Sequence, residues 1–318
     1  MPGLIGQARS CCQGLGPVLC THEKISPDHG AERIGPEALL QLNYSKNIIP
    51  RISRDIQFSF KGRVIVDSWP DMNPIIQARA LVKRYGDFTA VAGVDFDVAP
   101  GECFGFLGPN GAGKTTTVHM VSCVLPITDG DIQIAGLSAR NDPRRIKAMM
   151  GVCPQESNLD TDFSVLHNLV SYARYFDIPA PEAKRRAEAL VNRFRLRDKA
   201  GQCVDDLSGG LKKRLLVARA MVNNPTIVML DEPTTGLDPQ SKHQIWEEVR
   251  AMKRAGATVI LTTHYMEEAS LLCDRLIIMD QGRIIESGTP SGLIEKHAAG
   301  EGTLEDVFLK LTGRELRE

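Results

Sequence analysis

Apolar and polar residues follow three patterns along this chain, and the first pattern predicts strands. Between about residues 75 and 107, apolar residues occupy every second position, as in Val94-Asp-Phe-Asp-Val98, and turn residues separate the runs. Side chains alternate between the two faces of a strand, so this spacing indicates a small antiparallel sheet. Residues 103–107 are a short apolar run that predicts one further strand.

The second pattern has helical spacing and covers residues 156–206. One predicted helical face consists of Phe163, Leu166, Leu169, Val170, Ala173 and Phe176. After two prolines, a second face consists of Ala187, Leu190, Val191 and Phe194. Apolar residues that recur every three or four positions indicate amphipathic helices. We therefore predict an inserted α-helical subdomain over about 156–206.

The third pattern is a pair of apolar runs without alternation, at residues 227–230 and 258–262, separated by a predicted helix at 242–254. Strands that are apolar on both faces and alternate with helices are typical of a parallel sheet covered on both sides. The predicted fold class is therefore α/β, with a parallel-sheet core, an antiparallel β subdomain and the inserted α-helical subdomain.

The two ends of the chain differ from this main region. Residues 1–71 have weak periodicity and scattered Gly, Pro and Ser, so we expect a poorly ordered N-terminal extension. We expect the main domain over 72–300 and a C-terminal helix over 301–318. No motif occurs twice, which argues against a tandem pair of similar domains.

Composition restricts the classes of function. The 318 residues carry 38 basic and 39 acidic side chains, so no broad positive charge is available to hold a nucleic-acid backbone nonspecifically. We predict no nucleic-acid partner, although a local basic patch remains open. No apolar run approaches the roughly 18 residues that span a bilayer. A role at a membrane therefore requires a separate membrane protein.

The segment Gly108-Pro-Asn-Gly-Ala-Gly-Lys-Thr115 has the composition of a phosphate-binding loop. Its glycines allow backbone amides to turn toward an anion, and the predicted helix that follows presents its positive end. Lys114 is predicted to reach the outer phosphates of a nucleotide, and Thr115 to contact Mg²⁺. The apolar strand before the loop and the helix after it are the context that this motif requires.

Polar residues that follow the apolar strands are expected to lie near this loop, because the carboxyl ends of parallel strands meet at one sheet edge. Asp231 is predicted to bind Mg²⁺, and Glu232 to orient and deprotonate the attacking water. His264 follows the next strand and can reach the γ-phosphate. Gln155 lies where a third strand should end, and its amide oxygen can bind Mg²⁺ or water. Ordinary turn or surface roles remain open for these residues.

Taken together, the motifs resemble those of the ATP-binding subunits of ABC transporters over about residues 75–290. The motifs that carry the resemblance each occur once and in the family's order: the loop 108–115, Gln155, Leu207-Ser-Gly-Gly210, Asp231-Glu232, Gly236-Leu-Asp238 and His264. The resemblance implies a P-loop NTPase fold and ATP hydrolysis with Mg²⁺. It also implies that Tyr85 stacks on the base. The residues it assigns to ATP in one subunit are Tyr85, Gly108, Pro109, Asn110, Gly111, Ala112, Gly113, Lys114, Thr115 and Thr116.

The resemblance further implies a homodimer, in which one copy completes the site of the other. The residues assigned to the partner's ATP are Leu207, Ser208, Gly209, Gly210 and Asp238. Leu211 departs from the glutamine that is common at the fifth position of this signature motif. In this respect the chain resembles the branch of the family related to antibiotic-resistance and nodulation-factor exporters, which also has an apolar residue at this position.

This branch implies an exporter with a separate ABC-2 type membrane permease, docked on the helical insert. The chain would then lie peripherally on the cytoplasmic face of the inner membrane. A soluble ATPase acting on nucleic acid, ribosomes or an assembly scaffold remains an alternative. The sequence has no long coiled-coil or zinc-binding insert and no second cassette, which favours transport.

Overall fold

The computed structural model describes residues 73–298 and 302–313. The predicted extension over 1–71 lies outside the described residues. Within them, the chain forms two sheets, nine α-helices and two short 3-10 helices. None of the helices in residues 73–298 and 302–313 combines the length and the apolar character needed to cross a bilayer.

The first sheet is antiparallel and has the strand order β2-β1-β4-β5. Its strands are β1 (Ile76–Tyr85), β2 (Phe88–Val98), β4 (Asp129–Ile134) and β5 (Leu137–Ser138). Strand β1 pairs with both β2 and β4, and Tyr85 pairs with Phe88 across the turn that joins β1 to β2. Residues 76–98, within the alternating pattern, thus form two strands of the predicted antiparallel sheet.

The second sheet has six strands in the order β10-β9-β3-β8-β7-β6. They are β3 (Cys103–Leu107), β6 (Met150–Cys153), β7 (Ile227–Asp231), β8 (Thr258–Thr263), β9 (Arg275–Asp280) and β10 (Arg283–Gly288). Strand β10 runs antiparallel to β9, and all other pairs are parallel. The carboxyl ends of β3, β6, β7 and β8 therefore lie along one edge.

Both faces of the central strands β3, β7 and β8 are buried, as continuous apolar runs predict. In β7, Ile227 and Met229 belong to the core shared with the antiparallel sheet, whereas Val228 and Leu230 belong to the core under the helices. Phe106 of β3 packs edge-on against Phe96 of β2, with the ring centroids 5.2 Å apart. The predicted fold class, an α/β domain with a parallel-sheet core, is confirmed.

The helices are α1 (Lys114–Val121), α2 (Pro143–Ala148), α3 (Val165–Arg174), α4 (Ala180–Arg193), α5 (Gly209–Ala220), α6 (Pro239–Arg254), α7 (Met266–Leu272), α8 (Pro290–Ala298) and α9 (Leu304–Thr312). Helices α3 and α4 lie within the predicted insert and pack against each other. Helix α5 follows the insert and packs against both α3 and β6, so it joins the insert to the sheet.

Candidate functional site

The loop of residues 108–113 connects β3 to α1 and requires glycine for two separate reasons. Gly111 and Gly113 have φ angles of 82° and 99°, in the left-handed region that side chains disfavour. A Cβ atom on Gly113 would also lie 2.7 Å from the carbonyl oxygen of Ala90 in β2. The loop therefore packs tightly on the antiparallel sheet and directs the start of α1 toward the sheet edge, where free backbone amides favour an anion.

Lys114, the first residue of α1, is buried with its ammonium among oxygen atoms. Its Nζ donates to the carbonyl oxygens of Gly108 at 2.8 Å and Pro109 at 3.1 Å, and lies 3.6 Å from Oε1 of Glu232. Burial lowers the pKa of Lys114, against the raising effect of Glu232 and Asp231. Phosphate oxygens arriving at this loop would meet a cation that water scarcely reaches.

Thr115 and Asp231 meet across the sheet edge. The Thr115 hydroxyl donates to Oδ1 of Asp231 at 3.1 Å, and the hydroxyl of Thr262 in β8 donates to the same oxygen. The other carboxylate oxygen, Oδ2, is buried and has no hydrogen-bond partner among the described residues. A carboxylate with a spare buried oxygen, beside a hydroxyl, matches the oxygen ligands that Mg²⁺ prefers.

Glu232 is 4% exposed and is approached by side chains from several elements. Its Oε2 accepts from the amide of Gln155 at 3.2 Å and from the hydroxyl of Thr235 at 3.2 Å. Its Oε1 lies 3.4 Å from Nδ1 of His264 and also faces Lys114. The neighbouring His264 is the largest influence and lowers the pKa of Glu232, with Lys114 acting in the same direction and burial opposing both. The carboxylate form is thus favoured at neutral pH.

These residues surround a cavity of about 370 Å³ at the sheet edge. It is lined by Tyr85, Phe88, Ala90, Asn110, Gly111, Ala112, Gly113, Lys114, Thr115, Thr116, Gln155 and Glu232. The structure therefore brings most of the predicted residues of one nucleotide site together, with Asp231 and His264 in contact with them. The volume is within the usual range for a small-ligand site.

The residues predicted to act on the partner's nucleotide form a separate group. Ser208 caps the start of α5 and accepts from the amide of Leu211 at 3.4 Å, while Asp238 caps α6 and accepts from the amide of Ser241 at 2.9 Å. A Cβ atom on Gly210 would lie 2.6 Å from Oγ of Ser241, so the two helix starts touch. None of the residues 207–210 or 238 lines the cavity around Lys114.

Sequence reasoning missed several side chains of the site. Thr262 and Thr235 bind the two acidic residues, and Lys213 donates to the carbonyl oxygen of Gln155 at 3.2 Å. Thr262 could have been predicted from the sequence, because it ends the apolar run 258–262, which is predicted to pair in parallel with the strand before Asp231. The contact of Lys213 could not be predicted from local sequence, because only tertiary packing brings Lys213 to the Gln155 loop.

Comparison with known proteins identifies the family. The model of the ABC transporter family matches residues 91–235. Nod factor export ATP-binding protein I of Ralstonia nicotianae is 47% identical over 221 residues, which cover 70% of this chain and 69% of the relative. The protein of the same name from Cupriavidus metallidurans is 38% identical over 303 aligned positions, which cover 78% of this chain and 100% of the relative.

Solved structures agree with this assignment. The ATP-binding subunit of an ABC transporter has a TM-score of 0.69 and 26% identity, covering 75% of this chain and 99% of its own. The dimeric structure of MJ0796, a bacterial ABC transporter cassette, has a TM-score of 0.63 and 25% identity, covering 67% of this chain and 98% of its own. Taken with the phosphate loop and its acidic neighbours, these similarities show that the chain belongs to the ABC transporter family, as an ATP-binding subunit and an ATPase.

Proposed function

We propose that the chain is the ATP-hydrolysing subunit of an exporter, and that it works as a homodimer around two ATP molecules beside a separate ABC-2 type membrane permease. Export is supported by the similarity to Nod factor export ATP-binding protein I. The product would be a lipo-oligosaccharide, a drug or a similar molecule, bound by the permease. The subunit would lie on the cytoplasmic face of the inner membrane as a peripheral protein. It would have no nucleic-acid partner.

The environment of Glu232 is the observation that carries the hydrolytic role. Its carboxylate lies 3.6 Å from the Lys114 ammonium and 3.4 Å from the His264 imidazole, at the edge of a cavity lined by the phosphate loop. A general base needs a carboxylate in its charged form and within reach of the reacting atoms. The neighbouring His264 and Lys114 outweigh the effect of burial and favour the charged form, and the place of Glu232 at the cavity edge supports the second condition.

Mg²⁺ would be held by Thr115, Asp231 and Gln155, together with phosphate oxygens. The unpartnered, buried Oδ2 of Asp231 and the neighbouring Thr115 hydroxyl support this set. Mg²⁺ in such sites commonly takes one or two carboxylates plus substrate phosphates. When bound, it neutralises charge on the β- and γ-phosphates.

In the proposed reaction, the Glu232 carboxylate orients a water molecule and accepts its proton. The water oxygen bonds to the γ-phosphorus as the bond to the bridging oxygen breaks, which releases ADP and phosphate. Lys114 would exchange the carbonyl oxygens of Gly108 and Pro109 for phosphate oxygens, and His264 would hold the γ-phosphate. Catalysis would then depend mainly on positioning and on electrostatic stabilisation.

The second group of residues would complete the site of a partner copy. Ser208 and the amides of Gly209 and Gly210 stand at the start of α5, which makes an anion-binding helix end. Their separation from the cavity around Lys114 supports a contact between two copies rather than within one. Leu207 and Asp238 would fix this helix end, and the shared ATP would stabilise the interface.

Replacing Glu232 with Gln tests the role of the carboxylate. The amide keeps the size of the side chain but cannot accept the proton, so ATP binding should persist while hydrolysis falls by at least ~100-fold. Gel filtration with ATP and Mg²⁺ should then show a stable dimer that the parental protein forms only transiently. Hydrolysis at the parental rate would remove Glu232 from this role.

Affinity purification from membranes tests the exporter assignment. The tagged full chain should retain a multi-span membrane protein in stoichiometric amount, and addition of that protein should change its ATPase rate. Retention of ribosomes, nucleic acid or assembly factors without a membrane protein would favour the soluble alternative and contradict export.

A further inference from the structure

The turn between β1 and β2 carries two exposed aromatic side chains beside the phosphate loop. Tyr85, the last residue of β1, pairs directly with Phe88, the first residue of β2. Tyr85 is 47% exposed and Phe88 is 67% exposed, and both line the cavity that contains Lys114. A phenyl ring with this exposure loses much of the favourable burial that aromatic side chains normally gain.

Phe88, at the start of β2, lines the same cavity as Tyr85, with which it pairs. Phe88 and Ala90 both line the cavity. The pairing of β1 with β2 is irregular between them, because Lys83 pairs with Val91 and Arg84 with Thr89. The carbonyl oxygen of Ala90 packs on Gly113, 2.7 Å from where a Cβ would stand. Phe88 lies closer than Ala90 to the turn that joins β1 to β2. A nucleotide with its phosphates on the loop would extend its base in that direction.

Tyr85 alone leaves one side of a planar base uncovered. The Lys83 ammonium lies over the Tyr85 ring, 5.0 Å from its centroid, and is fixed by a 2.8 Å hydrogen bond to the carbonyl oxygen of Pro126. One face of Tyr85 is thus occupied and the other is available for stacking. Phe88 contacts no other ring and no cation among residues 73–298 and 302–313.

We propose that Phe88 is a second base-binding residue, which contacts the adenine of ATP together with Tyr85. The ring would cover the part of the base that Tyr85 leaves exposed, and the base would in turn bury the Phe88 ring. The proposal depends on ATP binding, which the family establishes, and not on the exporter role. Its consequence is that affinity for the base is divided between two aromatic side chains.

Binding measurements on the full chain separate base contacts from phosphate contacts. Phe88→Ala should raise the Kd for ATP with Mg²⁺ by about 5- to 160-fold, the range for loss of base–aromatic stacking. Inorganic triphosphate, measured by competition against ATP, has no base, so its Kd should stay within about twofold of the parental value. The Kd of Phe88→Leu for ATP should lie between those of the parental protein and Phe88→Ala. Tyr175→Ala is the matched control, because Tyr175 is 82% exposed and lies outside this cavity.

Two results would overturn the proposal. Parental ATP affinity in Phe88→Ala, with a clear loss in Tyr85→Ala, would leave Tyr85 as the sole stacking residue. An equal loss for ATP and triphosphate would mean that the substitution only disturbs the phosphate loop. Lys114→Ala distinguishes a failure of the whole site, since it should weaken both ligands.

Phe88→Trp keeps the test decisive if the alanine variant folds poorly. Its indole fluorescence should change on addition of ATP and remain constant with triphosphate, after subtraction of the signal of the parental protein. Absence of any ATP-specific change in a folded variant would also contradict the proposal.

Discussion

Glu232 has a backbone conformation that glutamate rarely adopts, with a φ angle of 45°. A left-handed conformation costs a non-glycine residue on the order of 1–3 kcal/mol and persists only where its surroundings enforce it. Here the backbone amide of Glu232 donates to the hydroxyl of Thr262 at 3.0 Å, and the carboxylate has partners on both oxygens. The strained residue thus turns its side chain back toward Lys114 at the point where β7 ends.

A second buried acid, Glu268, lies behind the catalytic edge. Its Oε1 accepts from the hydroxyl of Thr234 at 2.8 Å and from the indole of Trp246 at 3.0 Å. Burial raises the pKa of Glu268, although Thr263, Thr234, Trp246 and Lys242 act in the opposite direction. Glu268 therefore keeps its proton to a higher pH in the native state than in the unfolded chain.

Replacing Glu268 with Gln should make the free energy of unfolding less sensitive to pH. Since the native pKa is raised, the parental protein loses stability as the pH rises above the ordinary glutamate pKa of about 4.3, until the native pKa is passed. Glutamine stays neutral and still accepts from Thr234 and Trp246. Urea unfolding should be measured at several pH values between about pH 5 and pH 8. The free energy of unfolding of the Gln variant, relative to that of the parent, should increase by up to ~1.4 kcal/mol per pH unit.

A constant difference between the Glu268→Gln variant and the parent over this pH range would show that the carboxyl is charged in the fold. Thr234→Val provides the complementary control. It removes one donor to Oε1, so the pKa should rise further and the pH dependence should extend to higher pH.

At the scale of elements, some parts of the site can be predicted from local sequence patterns and others cannot. The order strand, glycine loop, helix around Lys114 is local, so the sequence predicts it with its chemistry. The strand that ends in Asp231 and Glu232 is equally local. By contrast, the contacts of α5 with the Gln155 loop join residues that are 58 and 61 positions apart in the chain. No periodicity signals such contacts, which depend on how the insert packs.

Two buried cations of α5 hold the Gln155 loop in place. Lys213 donates to the carbonyl oxygen of Gln155 at 3.2 Å, and Arg219 donates to that of Asn158 at 2.8 Å. The Arg219 guanidinium also lies over the ring of Tyr172 in α3, 4.6 Å from its centroid. The helix that begins at Ser208 is therefore bound to the loop whose glutamine contacts the catalytic carboxylate.

Replacing Lys213 with Met should loosen this loop without removing a nucleotide contact. The loss of a hydrogen bond from a charged group, worth about 1.5–3 kcal/mol, should raise amide hydrogen exchange at residues 155–160. We expect kcat to fall by ~10-fold while the Kd for ATP changes by less than about twofold, because Thr115, Asp231 and the phosphate loop are left unchanged. Lys184→Met, at an exposed position of α4, should leave both values unchanged. Unaltered loop exchange in Lys213→Met would contradict the link.

At the scale of the whole molecule, the predicted site residues fall into two groups that one copy does not join. The cavity around Lys114 has no lining residue from the signature segment 207–210. Ser208 and Asp238 instead cap helices α5 and α6, whose starts meet at Gly210 and Ser241. A twofold pair of chains can bring each helix end onto the other's nucleotide, since isologous contacts repeat in both directions.

Complementation between two inactive variants tests this exchange. Lys114→Ala removes the phosphate cation, and Ser208→Arg obstructs the helix end, so each variant alone should lose at least ~95% of its ATPase activity. In a mixed dimer, the intact Lys114 of one copy faces the intact Ser208 of the other, and one site of two is restored. An equimolar mixture should recover up to about one quarter of parental activity, because random pairing makes half of the dimers mixed. Differently tagged copies should also associate only when ATP is added.

The arrangement within a single chain predicts the opposite result. If Ser208 served the nucleotide of its own copy, the Lys114→Ala chain would lack the cation and the Ser208→Arg chain would lack the helix end, so mixing would restore nothing. Ser291→Arg, at the exposed start of α8, controls for the added charge and should keep parental activity. Ser208→Arg should still bind ATP through its own phosphate loop, so recovery on mixing would identify the signature helix as the part supplied by the partner.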